Sequence, residues 1–210
     1  MKQFLLISFL FMFLFSCTKK EVSSPVINTY TPRNTVYTIS DYTKLSVGNY
    51  WVYQVVNVDT LGNVTVQGTD SCYIKNDTTI RGNIYFHMVN APFNIYTLVR
   101  DSSSCMINQY GNIQFTLGYL NTALVEDSTA QVTTIYSVPD APMGITVPMG
   151  TYYCFDYMGI STIYTQGYKW GRTRYSDNYY SPGMGLVEAS TYNINQPGTV
   201  QCRLIRAHIK

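Results

Sequence analysis

The chain has 210 residues and a formal net charge of +2, from 14 basic and 12 acidic side chains. Such balance makes no electrostatic case for nucleic acid or for an acidic substrate. Charged residues are only 12% of the chain, and 20 tyrosines with many Thr, Asn and Ser stand in their place, a composition suited to strands.

Met1-Lys2-Gln3 supplies a short positive start, and Phe4 to Phe15 follows as an apolar run broken only by Ser8. A helix of that length spans roughly 18 Å, short of the roughly 30 Å hydrocarbon core. Residues 1–16 are therefore expected to be a cleavable signal peptide rather than a spanning anchor. Leu14-Phe15-Ser16-Cys17 resembles a lipobox, the leucine, variable, small, cysteine pattern of lipoprotein signal peptidase. That resemblance implies a diacylglyceryl group on the Cys17 sulfur and cleavage just before it. Several acyl chains on one residue hold a protein at a membrane where one chain is marginal. An ordinary secretory signal with a chance cysteine is the alternative.

Residues 17–43 are rich in Ser, Thr, Asn and Pro and lack sustained periodicity, so a flexible spacer is expected there. The alternative is an edge strand over Val36 to Ile39. From Leu45 the signal is strand after strand, forming one all-β domain over residues 44–210. Expected strands cover Asn49 to Val58, Val64 to Lys75, Ile84 to Val89, Tyr96 to Arg100, Cys105 to Gln109 and Ile113 to Thr116. Val132 to Val138, Thr151 to Met158, Ser161 to Tyr168, Gly185 to Thr191 and Thr199 to Ile209 follow. Tyr119 to Asp127 is the best helical candidate, and Asp70-Ser71, Asp101 to Ser104 and Asp127-Ser128 read as turns. The fold class expected is an antiparallel meander, curved into an open barrel or sandwich.

Three segments carry a family resemblance. Lys44 to Tyr53, Val147 to Tyr152 and Tyr180 to Val187 resemble the "PL-x-x-G-N-x-W-x-Y", "V-P-A-G-T-F" and "Y-A-P-G-V-G-L-V" signatures of small Bacteroidetes envelope lipoproteins. The likeness runs over roughly Leu45 to Lys210. It implies a curved antiparallel sheet, distantly like the open barrels of periplasmic lipid carriers, and no agreed activity. Gly48, Gly150, Pro182-Gly183 and Gly185 within these motifs suit tight turns and a bulge.

Chemistry is sparse. Lipidation of Cys17 leaves Cys72, Cys105, Cys154 and Cys202. Export permits disulfides among them, while buried thiols acting as small apolar residues are the other reading. The absence of a C-x-x-C spacing removes support for a zinc or dithiol site. His87 and His208 have no His, Cys or carboxylate at ligand spacing, so no metal and no cofactor is expected. A carboxylate pair could be assembled from separate strands, but nothing local marks one. No nucleophile elbow, phosphate loop or dinucleotide fingerprint occurs.

Tyr164, Tyr168, Trp170, Tyr175, Tyr179 and Tyr180 form the densest feature, interleaved with Lys169, Arg172 and Arg174. Tyr168, Trp170 and Tyr175 are the candidate contacts for a sugar or a partner protein. Packing within the sheet is the preferred alternative. The whole points to a noncatalytic envelope lipoprotein that binds a protein, glycan or apolar ligand, tethered through Cys17 to a membrane, the outer membrane foremost. The alternative is a structural accessory of an envelope complex without a small ligand.

Overall fold

The computed structural model describes residues 37–91, 95–165, 172–193 and 197–210. Cys17, Tyr168 and Trp170 lie outside these described residues. Within them one short helix precedes fourteen strands, and every named strand pairing is antiparallel.

Helix α1 is Ile39–Thr43, and it occupies ground assigned above to the spacer. The spacer boundary at residue 43 is therefore too late, because Ile39, Tyr42 and Thr43 are all buried. A local device starts the helix. The Thr38 backbone N–H and hydroxyl both donate to the Asp41 carboxylate, at 2.8 and 2.9 Å. Lys44, in the left-handed region at φ 50°, ends it. One turn is too short to show an i, i+3, i+4, i+7 stripe, which is why the sequence pattern does not announce it.

Strands β1 (Tyr50–Val58) and β2 (Val64–Ile80) form a hairpin. At its tip Asp59 Oδ1 accepts the Leu61 and Asn63 backbone N–H groups, each at 2.8 Å. β3 (Asn83–Ala91), β4 (Ile95–Ser102), β5 (Cys105–Asn108) and β6 (Ile113–Thr116) then step outward as a meander, each beside the last. A second meander leads back from β7 (Val125–Ser128) and β8 (Val132–Ser137) through β11 (Met158–Ile163), β12 (Thr173–Ser181) and β13 (Gly185–Tyr192) to β14 (Thr199–His208). The two meanders meet where β1 pairs with β14. The hairpin of β9 (Met143–Val147) and β10 (Gly150–Asp156) stands off this path, joined to β12 at Phe155–Tyr180 and Asp156–Tyr179.

Register shifts at Val52/Tyr53, Val55/Val56, Ile74/Asp77 and Tyr179/Tyr180 bend the sheet. The curl brings the outermost strand of the first meander onto the second. Phe115 of β6 stacks on Tyr180 of β12 with ring centroids 4.2 Å apart, and the Tyr157 hydroxyl donates to Ile113 O at 3.1 Å. One apolar cluster, with Ile39, Tyr42, Val99, Met106, Phe115 and Tyr157, fills the space beneath α1. A second surrounds Trp51, Tyr53, Val187 and Leu204. Trp51 Nε1 donates to Met184 O at 2.7 Å and Tyr53 OH to Leu186 O at 2.9 Å, tying β1 to β13 across β14.

Several expectations change. Tyr119 to Asp127 is not helical, since Leu120 bridges Val138 and Val125 opens β7. Asp70-Ser71 sits within β2 opposite Tyr53 and Val52, not in a turn. β9 and β12 are strands that the pattern did not single out. Cys72, Cys105, Cys154 and Cys202 are all free thiols. Burial pushes Cys72 and Cys154 up to about 12, so both stay neutral and pack as small apolar groups.

Candidate functional site

The curl leaves a cleft of about 430 Å³ between the two meanders, within the range of small-molecule sites. Strand alternation builds one wall: Met88 and Asn90 of β3 face the same side as Thr97 and Val99 of β4, with Met88 directly opposite Thr97. Asn112, Ile113 and Gln114, at the start of β6, extend that wall. The other wall is Tyr136 of β8, Tyr157 at the β10–β11 junction, and Asn178 and Tyr180 of β12. Among the described residues none that lines it carries a charge.

The far wall is held rigidly. Tyr157 N–H donates to Asn178 O at 2.9 Å, and Asn178 Nδ2 returns a bond to Tyr157 O at 3.2 Å. Tyr136 stacks on Tyr157 with centroids 5.0 Å apart and an interplanar angle of 8°. Gly159 makes this possible, since a Cβ there would stand 2.9 Å from Tyr136 Cε1 and 2.5 Å from Ser176 Oγ. Tyr180 is likewise backed by Phe115. Each tyrosine face thus rests on a second ring rather than on water.

The opposite face of β12 holds a row of ionisable residues. Asp156 pairs with Tyr179, Tyr179 with Glu188, and Glu188 with Arg203, so all four share one face across four strands. Burial, then the negative charge of Asp177, pushes Asp156 up to about 7. Burial also raises Glu188, against the pull of Arg203, whose Nε lies 3.8 Å from its carboxylate. Asp156 and Asp177, on separate strands, act on one another electrostatically. Both carboxylates are engaged within the sheet: Asp156 is 8% exposed and accepts the Asn178 N–H at 3.1 Å, while Asp177 accepts the Ser190 hydroxyl at 2.8 Å.

Of the aromatic candidates, Tyr175 is 54% exposed, opposite Ile160 on β11. Alternation along β12 sets it on the face away from Asn178 and Tyr180, so it does not join the cleft. Tyr168 and Trp170 lie outside the described residues. His87 stacks on Tyr96 and His208 on Tyr50, at 5.8 and 5.7 Å. The cleft amides were missed by sequence reasoning because Asn and Gln read as turn or surface residues. The one available signal was Asn90 following Phe86 and Met88 at the alternation that marks the inner face.

No family model matches the chain, and no curated protein matches it. Two solved structures are similar to it. One is a protein designated as exported, with a YmcC-like fold, from Bacteroides fragilis; it is 11% identical, with a TM-score of 0.48 over 80% of this chain and 98% of that one. The other is a protein designated a lipoprotein from Parabacteroides distasonis, 16% identical, with a TM-score of 0.44 over the same shares of the two chains.

Proposed function

We propose that the protein is a lipid-tethered envelope domain, without catalytic chemistry of its own, that holds a small ligand in the cleft of its curled sheet. The observation that carries this reading is the cleft itself, walled by residues of β3, β4, β6, β8 and β12 and stiffened by two stacked ring pairs. Preformed concavity of this size with convergent polar groups is the ordinary form of a ligand site. The apolar run before Cys17 and the lipobox-like Leu14 to Cys17 support the tether. The envelope, with the outer membrane foremost, is the corresponding location.

Thermal unfolding tests the binding role. A ligand that occupies only the folded state raises the midpoint in proportion to the logarithm of its concentration. Among small molecules spanning neutral, anionic and apolar chemistry, at least one should do so. Thr97→Phe, which places a ring in the cleft, should abolish that rise while the variant still unfolds cooperatively. A ligand effect undiminished in Thr97→Phe would move binding elsewhere on the molecule.

A further inference from the structure

We infer that the cleft is a saccharide site, built for a neutral oligosaccharide; this rests on the binding role proposed above and names its ligand class. Charge is the first discriminator. With no ionic group among the described lining residues, a phosphate, carboxylate or ammonium ligand would lose its hydration without a counter-charge, which is strongly unfavourable.

Polarity is the second. Asn90, Asn112, Gln114 and Asn178 bring amides to the cleft and Thr97 a hydroxyl. Asn178 Nδ2 is given to Tyr157 O and Gln114 Nε2 to Ile113 O, but covering the remaining polar atoms with an alkyl chain would strip their water and return nothing. A side-chain amide offers both donors and acceptors, and so matches a sugar hydroxyl, which also does both.

Shape is the third. Tyr136 and Tyr180 present flat rings, each fixed by a partner ring, against which the C–H face of a pyranose can lie. An extended peptide fits less well. It would bind by pairing with the main chain of β6, where the Tyr157 hydroxyl and the Gln114 Nε2 already donate to Ile113 O and compete with it.

The test uses the full-length lipoprotein, ¹⁵N-labelled and held in phospholipid nanodiscs, observed through its Asn and Gln side-chain amide resonances. Maltotriose, cellotriose, mannotriose and tri-N-acetylchitotriose are the neutral probes. Trigalacturonate, 1-hexanol and an uncharged tetrapeptide are the comparators. At least one neutral trisaccharide should shift amide resonances saturably. Asn90→Ala and Asn112→Ala should each weaken it by about tenfold, the loss expected of a hydrogen bond or two. Tyr175→Ala, on the other face, should leave it unchanged. Saturable binding of a comparator in place of every trisaccharide would overturn the saccharide class and leave the binding role standing. Trisaccharide binding lost in Tyr175→Ala but kept in Asn90→Ala would overturn the cleft as its site. No saturable binding by any probe would overturn both.

Discussion

Asp156 has its protonated form favoured by the fold, and this sets a pH dependence of definite sign. Its carboxyl is raised to about 7, by burial first and by the Asp177 charge second, whereas in the unfolded chain it titrates near ~3.9. Between those values the unfolded state releases a proton that the folded state keeps. Stability from this residue is therefore full below about pH 4 and declines as pH rises to about 7. Asp101 and Glu188 are raised by burial too and act in the same direction. Asp156→Asn keeps an oxygen for the Asn178 N–H and removes the charge. The variant should unfold at higher temperature than wild type at pH 8, and the gap should close by pH 4. A wild-type midpoint that rises from pH 5 to 8 in step with that of Asp156→Asn would remove Asp156 from this role. Gly185 shows a different kind of single-residue constraint. Its φ of +90° strains any side chain there, and the Trp51 ring, 3.2 Å from where a Cβ would stand, would have to shift to admit one. That confirms the tight Pro182 to Gly185 passage, while the register shift falls just beyond it at Val187, between the Tyr179–Glu188 and Tyr180–Leu186 pairs.

Helix α1 shows how little sequence an element needs when its neighbours supply the burial. Ile39 and Tyr42 enter the cluster that holds Phe115 and Phe155, with Tyr42 stacked at tilted angles on both. Ile39→Ala and Tyr42→Ala should each lower stability by about 2–4 kcal/mol in urea titration, the range for large buried side chains cut to Ala. Shifts within about 0.5 kcal/mol, as for exposed positions, would return these residues to the spacer. Strands were legible where alternation was clean, as in Tyr50 to Val58 with Trp51 and Tyr53 inward. They were not where turn-forming residues sit inside a ladder. Ser, Asp and Asn are turn-prone residue types, yet Ser176-Asp177-Asn178 lies within β12, which is paired with β11 and β10 on one side and β13 on the other. The cleft was illegible for a related reason. Asn90, Asn112 and Asn178 come from three distant segments, and only the curl brings them to one cavity.

At the scale of the whole molecule, the proposed tether decides where this domain works. Cys17→Ser should leave an unprocessed precursor or a released protein after cell fractionation, with wild type in the membrane fraction. Mature-sized Cys17→Ser protein that still follows the membranes would remove the lipid from the account. The domain's architecture adds a demand of timing. Among the described residues the first strand, β1, takes the last, β14, as its neighbour, and the Lys210 N–H reaches Asn49 Oδ1 across 161 residues of chain. Such a seam cannot close until β14 has been delivered, and contacts this distant in sequence make folding slow. A chain that emerges amino terminus first would hold out the bare edge of β1 throughout its own delivery. That edge carries Trp51, Tyr53 and Val56, and is a template for pairing with any passing strand. A nascent chain is thus vulnerable to aggregation for as long as β14, Thr199–His208, is missing, and a chaperone that shields unpaired strands would act in that interval.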